Sequence, residues 1–259
     1  MELNAIIQGD CIEEMKKIGD KSIDMILADL PYGTTACKWD TIIPFEPLWE
    51  QYKRIIKDNG AIVLTASQPF TSALVMSNLK MFKYCWYWEK ERLTNITQVK
   101  KRAGKTVEEV VIFYKKQSLY NPQMIKYVGY KRSNKVKNGK LGKLLDNTER
   151  KVKKYIDTGY RYPTQVLKIQ RDILKSNLHP TQKPVALFEY LIKTYTNEGD
   201  LVLDNVAGSF TTAIASENLK RNWICIEKEE KYCNIGRKRI EENRERLQAL
   251  DNRKRCEIL

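Results

Sequence analysis

Apolar residues recur along the chain in short blocks separated by polar turns, and the spacing within each block predicts alternating strands and helices. Continuous apolar runs bounded by Asp, Gly or Pro are typical of buried strands, whereas apolar residues three or four positions apart predict amphipathic helices. Strands are expected at 5–8, 23–28, 61–65, 85–88, 110–114, 201–204 and 223–227. Helices are expected at 11–18, 45–56, 68–80, 185–196, 211–219 and from 229 onward.

This alternation predicts an α/β fold with a mostly parallel, doubly wound sheet. The sequence Lys-Asp-Asn-Gly at 57–60 is expected to end the second helix. Between 117 and 175 the chain carries turn signals, and no regular structure is predicted there. A chain of 259 residues is long enough for one large core, or for a core with a smaller appendage.

The composition narrows the class of protein. A hydrophobic fraction of 42% suits a folded chain, and no apolar run approaches the length that crosses a bilayer. The N-terminus lacks a signal pattern, so we expect a cytoplasmic protein without a membrane partner. The six cysteines form no Cys-x-x-Cys pair and His179 is the single histidine, which argues against a metal site and favours free thiols.

Positive charge is concentrated in one internal segment. The chain has a formal net charge of +14, and residues 117–175 hold 15 of its Lys and Arg against 4 Asp and Glu. The segment also contains six tyrosines, and cations interleaved with aromatic rings suit phosphate neutralisation combined with base contacts. A solvated basic surface is the alternative interpretation, but the composition favours nucleic-acid binding.

The tetrapeptide Asp29-Leu30-Pro31-Tyr32 directly follows the predicted strand at 23–28. Because Pro31 cannot continue a central strand, the chain turns there and Asp29 lies at the carboxyl end of a strand, where open α/β sheets bind ligands. A carboxylate, a kinked backbone and an aromatic ring together suit a planar ring that carries an amino group. An ordinary turn with a half-buried tyrosine would have the same pattern.

A second candidate site joins the strand at 201–204 to the following helix. Gly208 permits a tight turn, and the helix N-terminus beyond it offers free N–H groups. Glu227 ends the next strand, where a carboxylate accepts hydrogen bonds from ribose hydroxyls. The segment lacks both Gly-x-Gly-x-x-Gly and a P-loop lysine, so it indicates a different nucleoside-bearing cofactor, unless it is only a β–loop–α connection.

Together these segments resemble the DNA amino-methyltransferases that act on adenine N6 or cytosine N4. Residues 29–32 are similar to the family's catalytic Asp/Asn/Ser-Pro-Pro-Tyr/Phe/Trp, and residues 204–212 are similar to its cofactor motif Asp-x-x-x-Gly-Ser-Gly-Thr-Thr. Residues 179–184, His-Pro-Thr-Gln-Lys-Pro, match a third and most specific motif. The catalytic motif precedes the cofactor motif, which is the circularly permuted order of the family's β group.

The resemblance implies a Rossmann-like methyltransferase core with three parts. Residues 1–116 would form the catalytic half, residues 117–175 an inserted target-recognition region, and residues 176–259 the half that binds S-adenosylmethionine. Double-stranded DNA is the implied substrate, methylated at adenine N6 after base flipping. A homodimer and a cognate restriction endonuclease are further partners that the family allows.

The resemblance also assigns residues to roles. The implied catalytic residues are Asp29, Leu30, Pro31 and Tyr32, with Tyr32 stacking on the flipped base. The implied cofactor residues are Asp10, Thr181, Lys183, Asp204, Gly208, Ser209, Thr211, Thr212 and Glu227. In this set Lys183 is expected to pair with the cofactor's carboxylate, and Asp10 either lies near its adenine or only caps a helix. The DNA-binding candidates are Lys100, Lys101, Arg102, Lys131, Arg132, Lys135, Lys137, Lys153 and Lys154.

Two residues depart from the family motifs. Leu30 replaces a proline whose role depends mainly on its backbone carbonyl, so leucine is compatible with it. Phe210 replaces a glycine, and a position with positive φ would strain a phenylalanine. Cytosine N4 as target, RNA or protein methylation, and a catalytically impaired DNA-binding protein are the alternatives. Asp29 favours adenine over cytosine, because the family tends to place Ser there for cytosine.

Overall fold

The computed structural model describes residues 2–34, 40–127, 158–172 and 182–258, with side chains as far as Arg253. Its strands are β1 Ala5–Gln8, β2 Ile23–Ala28, β3 Ile56–Ala66, β4 Phe82–Glu89, β5 Val107–Phe113, β6 Ile125–Lys126, β7 Tyr160–Arg161, β8 Val166–Lys168, β9 Leu201–Asp204 and β10 Asn222–Glu227. Its α-helices are α1 Cys11–Lys16, α2 Phe45–Ile55, α3 Phe70–Ser77, α4 Val185–Tyr195, α5 Thr211–Asn218 and α6 Glu230–Ile258.

Eight of these strands form one sheet in the order β1-β10-β9-β2-β3-β5-β4-β8. All neighbouring pairs are parallel except those of β5, which is antiparallel to both β3 and β4. The predicted α/β fold with a mostly parallel, doubly wound sheet is therefore confirmed.

The central strands bury both faces of the sheet because their side chains alternate. On β2, Ile26 and Ala28 pack with α1, α2 and α3, whereas Met25 and Leu27 pack with α4 on the opposite face. A strand that is apolar at every position is what a sheet covered by helices on both faces requires. This explains why the sequence pattern of β2 shows a continuous apolar run.

Helix α2 ends at Ile55, close to the predicted end before residues 57–60, but the predicted start of the next strand at 61 is wrong, because β3 begins at Ile56 and includes these residues. The pairing of β3 with β2 shifts between Ile23 and Met25, which marks a bulge. A Cβ added to Gly60 would lie 2.7 Å from the carbonyl oxygen of Asp24. The glycine therefore allows the close approach of the two backbones at the bulge.

Regular structure also occurs between 117 and 175, where none was predicted. Strand β8 pairs with β4 and extends the large sheet by one strand. The described residues of Met1–Asn121 and Thr164–Leu259 form one compact unit, and those of Pro122–Pro163 form a second. Within the second unit β6 pairs with β7, and the guanidinium of Arg161 lies 4.6 Å from the ring centroid of Tyr127.

The loop before α5 has the backbone conformation that the missing glycine suggested. Phe210 has φ 60° and ψ 32°, in the left-handed region, which costs roughly 1–2 kcal/mol for a residue with a side chain. Its ring is fully buried and packs against α6, where a Cβ added to Gly236 would lie 2.2 Å from the ring. Full burial of a phenylalanine contributes about 1.5–3 kcal/mol, which offsets the strain.

We predict that Gly236→Ala lowers the free energy of unfolding by about 1–3 kcal/mol, because the added methyl group overlaps the ring of Phe210. In a Phe210→Gly background the same Gly236→Ala change should instead raise the free energy of unfolding, since alanine is favoured over glycine in a helix by up to about 1 kcal/mol. Urea unfolding of the four proteins measures both effects. Gly19→Ala is the control, because its Cβ would have no neighbour within 4 Å. A Gly236→Ala effect that is the same in both backgrounds would contradict the packing account.

Candidate active site

Two adjacent strand ends define the site. Parallel strands β9 and β2 are neighbours, and the chain continues from β9 through α5 to β10 on one side and from β2 through α2 to β3 on the other. Such a switch point opens a crevice at the carboxyl ends of the strands, where α/β proteins bind ligands. Asp204 ends β9 and Asp29 follows β2, and both line a cleft of about 1520 Å³. The structure therefore brings the two predicted motifs together.

The carboxylate of Asp29 is held by three side chains. Its Oδ1 accepts hydrogen bonds from the hydroxyl of Tyr32 at 2.7 Å, from the hydroxyl of Thr65, and from Nζ of Lys183 at 2.8 Å. Its Oδ2 accepts from the same Lys183 Nζ at 2.7 Å. The orientation of the carboxylate is thus fixed by donors from three separate segments of the chain.

Lys183 lies between two carboxylates, with Glu108 Oε2 3.6 Å from its Nζ. Its side chain is only 7% exposed. Burial by itself lowers the pKa of Lys183, but the charges of Asp29 and Glu108 outweigh burial, so the pKa is raised above its usual value. Lys90 binds the other oxygen of Glu108, which completes a row of alternating charges.

The row of charges includes residues that the sequence did not identify. Thr65, Lys90 and Glu108 were not predicted, although a polar residue near the end of an apolar strand such as Thr65 is a detectable signal. Lys183 was predicted in the site but with the cofactor's carboxylate as its partner. In the structure its Nζ binds Asp29, and the predicted contact with the cofactor stays a prediction.

Tyr32 contributes both a hydroxyl and a ring. Burial, and then the charge of Asp29, raise the pKa of Tyr32 well above its usual value, so the phenol remains protonated and donates to Asp29. Its ring stacks on Phe70 with centroids 5.2 Å apart and an interplanar angle of 25°. This stacking fixes the orientation of the Tyr32 ring beside the turn that follows β2.

The turn between β9 and α5 is tied to the end of β10. Gly208, with φ 50°, donates its N–H to Glu227 Oε2 at 2.8 Å, and Glu229 donates its N–H to Oε1 at 2.9 Å. Each oxygen of Glu227 keeps a second lone pair with which it can accept a ribose hydroxyl. The residues present therefore fit a nucleoside with a free ribose.

The hydroxyl of Thr211 connects this loop to the catalytic side. It donates to the carbonyl oxygen of Lys183 at 3.3 Å and lies 3.2 Å from the hydroxyl of Ser209. Arg239 of α6 donates to the carbonyl oxygen of Ser209 at 2.5 Å. The position of the loop and that of Lys183 are thus coupled through hydrogen bonds.

Asp204 is buried at the base of the loop. Its carboxylate accepts from the hydroxyl of Thr212 at 2.5 Å and from the N–H of Val206 at 3.1 Å. Burial raises the pKa of Asp204 to about 7, against the lowering effect of these hydrogen bonds. Asp204 therefore stabilises the conformation of the loop between β9 and α5.

The other predicted site residues are distributed as follows. Asp10 caps α1, accepting from the N–H of Ile12 at 3.0 Å, and also lines the cleft. Lys100, Lys101 and Arg102 are exposed on the loop between β4 and β5. Leu30 and Pro31 line the cleft beside Asp29. The other predicted residues lie outside the described residues; they are His179, Thr181, Lys131, Arg132, Lys135, Lys137, Lys153 and Lys154.

Comparison with known proteins decides the family. A family model described as DNA methylase matches residues 23–238, which is most of the chain and includes both motifs. The chain belongs to the DNA methylase family.

The sequence matches to relatives of this DNA methylase cover nearly its whole length. It is 29% identical to the DNA adenine methyltransferase YhdJ of Escherichia coli (strain K12), over 93% of this chain and 83% of that protein. It is 28% identical to the type II methyltransferase M.HinfI of Haemophilus influenzae, over 93% of this chain and 69% of that protein.

Solved structures agree with the fold of this DNA methylase. The M1.HpyAVI–SAM complex is 26% identical with a TM-score of 0.59, over 90% of this chain and 98% of that chain. The cytosine-N4-specific PvuII DNA methyltransferase is 17% identical with a TM-score of 0.62, over 90% and 84%, and this likeness concerns the fold alone. In the described part of the chain no helix is long and apolar enough to cross a membrane, and no group of three His, Cys, Asp or Glu could hold a metal ion.

We predict that Lys183→Met lowers the free energy of unfolding by about 3 kcal/mol, because it leaves the partly buried carboxylate of Asp29 without its cation and removes one of the cations beside Glu108. The matched control is Lys16→Met. Lys16 makes an ion pair of the same 2.7 Å length with Glu13 on the surface, where such pairs contribute about 0–1 kcal/mol. Chemical denaturation measures both variants, and equal effects would rule out a special role for the buried pair.

We predict that Asp204→Asn removes part of the pH dependence of stability. The folded state keeps a proton that the unfolded chain releases above a pKa of 3.8, so wild-type stability falls as the pH rises from about 4 to about 7. This difference in pKa corresponds to a loss of up to roughly 4 kcal/mol. Urea unfolding at both ends of this pH range should show that the stability of the variant relative to that of the wild type increases with pH. Asp251→Asn, on the exposed side of α6, is the control; a gain for Asp204→Asn that does not change with pH would argue against the burial account.

Proposed function

We propose that this DNA methylase transfers a methyl group from S-adenosylmethionine to the exocyclic N6 of adenine in duplex DNA. The observation that carries the proposal is the fixed carboxylate of Asp29 in the same cleft as Glu227 and the loop at Gly208. The relative named DNA adenine methyltransferase and the neighbour solved with SAM support the choice of base and cofactor.

The chemistry of the cleft suits this cofactor. When bound, S-adenosylmethionine supplies a methyl group on a positively charged sulfonium. The carboxylates of Asp10 and Glu227, after β1 and at the end of β10, line the cleft, and a carboxylate favours a cationic ligand beside it over an anionic one. Glu227 would accept the ribose hydroxyls, and Gly208 and Ser209 would form the floor under the cofactor.

Asp29 would bind the target amine through one particular oxygen. Oδ1 already accepts from Tyr32, Thr65 and Lys183, whereas among the described residues Oδ2 accepts only from Lys183. Oδ2 therefore has a free lone pair for an N–H of the extruded base, and the backbone carbonyl of Leu30 would accept the second N–H.

These two acceptors favour a pyramidal amine nitrogen with its lone pair directed at the methyl group. Since that geometry is reached during attack, the hydrogen bonds stabilise the transition state more than the ground state. Lys183 would keep the carboxylate of Asp29 in position through the hydrogen bonds to both of its oxygens. Orientation of the two reactants would supply much of the remaining rate enhancement.

The buried position of Phe210 argues against a catalytically impaired protein. Its ring packs against α6 and does not line the cleft, so the departure from the family glycine leaves the cofactor side of the loop open. Cytosine N4 is the second candidate target. Asp29 in place of serine favours adenine, and sequencing of methylated bases distinguishes the two.

Several further assignments belong to the proposal. Residues 117–175 would recognise the target sequence between the catalytic half, 1–116, and the cofactor half, 176–259; the exposed Tyr127, Tyr160 and Tyr162 support a nucleic-acid surface in this segment. A homodimer, a cognate restriction endonuclease and a cytoplasmic location stay predictions.

We predict that Asp29→Ala abolishes methyl transfer while S-adenosylmethionine still binds, because the variant loses the acceptor for the amine and leaves Glu227 and Gly208 intact. Methylation-sensitive sequencing of DNA from cells that express either protein gives the base and its sequence context. Calorimetric titration with the cofactor checks binding, and Asp20→Ala is a surface control. DNA methylation retained by Asp29→Ala would refute the assignment.

A further inference from the structure

The loop between β4 and β5 extends from the same edge of the sheet as Asp29. Strand β4 is antiparallel to β5, and β5 is antiparallel to β3, so β4 ends at the edge where β2 and β3 end. Arg92, Thr94 and Lys105 at the base of this loop line the cleft together with Asp29. The loop therefore borders the cleft that contains Asp29.

Hydrogen bonds close the neck of the loop. The N–H of Thr94 donates to the carbonyl oxygen of Lys105 at 2.9 Å, and the N–H of Lys105 donates to Oδ1 of Asn95 at 2.7 Å. The amide of Asn95 also donates to the carbonyl oxygen of Ala103 at 3.0 Å. Above the neck, residues 96–102 begin with the 3₁₀ turn Ile96–Gln98, so the tip has a defined shape.

The tip combines apolar and cationic side chains and contains no acidic residue. Ile96 is 69% exposed and Val99 is 42% exposed, while the adjacent Lys100, Lys101 and Arg102 are also exposed. Exposed aliphatic side chains on an ordered tip do not contribute to the core. The neighbouring positive charge matches a polyanion as the partner that covers them.

We propose that Ile96 and Val99 insert into the DNA duplex at the position vacated by the flipped base, while Lys100, Lys101 and Arg102 bind flanking phosphates. The proposal rests on the function proposed above. Extrusion of a base breaks its base pair and unstacks its neighbours at a cost of a few kcal/mol, and apolar side chains inserted between base steps offset such costs in other DNA-binding proteins. Both side chains are β-branched and lose little rotamer freedom on insertion.

The test compares Ile96→Ala/Val99→Ala with wild type on two duplexes that carry the sequence methylated in cells. In one the target adenine is paired with thymine, and in the other it lies opposite an abasic site, where extrusion breaks no base pair. On the paired duplex kcat/KM should fall roughly 10- to 100-fold, which corresponds to about 1.4–2.7 kcal/mol of the cost of extrusion. On the abasic duplex the loss should be much smaller.

Two controls separate insertion from other effects. Leu79→Ala changes an aliphatic side chain of similar exposure, 55%, before the start of β4 at the opposite edge of the sheet, and should leave both rates unchanged. Lys100→Ala/Lys101→Ala should weaken binding to both duplexes equally and reduce the salt dependence of binding.

The outcomes distinguish this proposal from the function on which it rests. If wild type methylates neither duplex, the proposed function fails. If wild type is active and Ile96→Ala/Val99→Ala behaves like Leu79→Ala, insertion is refuted. Insertion is also refuted if the variant loses kcat/KM equally on both duplexes. A loss confined to the paired duplex, with unchanged thermal unfolding, supports it.

Discussion

The ion pair between Asp29 and Lys183 is the contact on which the site depends. The two residues are 154 positions apart. They meet because Lys183 directly precedes α4, which packs on β2 and leads into β9, so the start of this helix lies at the edge of the sheet where β2 ends. Thr211 then links the backbone of Lys183 to the loop at the start of α5. The catalytic turn and the cofactor loop are therefore positioned by the same lysine, and a shift in either is transmitted to the other.

A buried row of charges is costly, and its arrangement explains why it persists. Asp29, Lys183, Glu108 and Lys90 alternate in sign, so each charge has an opposite neighbour. Apolar replacements of similar volume are often neutral or stabilising for folding, which means that stability alone does not require such a row. Its value lies in a carboxylate that faces the cleft with one oxygen fully bound and the other accessible.

Most of the fold and the location of the site follow from local sequence patterns. The strands that lead to Asp29 and Asp204 are continuous apolar runs, and the loops that follow them mark the crevice. The pattern does not reveal contacts made by tertiary packing. Glu108 is a polar residue near the start of β5, and nothing local indicates that it faces Lys183. Strand β8 has only three residues, and it exists because β4 offers it an edge. The partner of Lys183 was predicted from the family role, and only the structure reveals the carboxylate beside it.

Phe210 has a backbone conformation that favours glycine, and packing elsewhere in the chain compensates for the strain. The loop requires a left-handed residue before α5, and the chain places a phenylalanine there at a cost in backbone strain. The ring is accommodated because α6 presents Gly236, a position without a side chain, directly opposite. Since the ring fills the core on the side of α6, the other side of the loop remains free to face the cleft. On that side Glu227 and Asp204 hold the loop in place, through hydrogen bonds with Gly208, Val206 and Thr212.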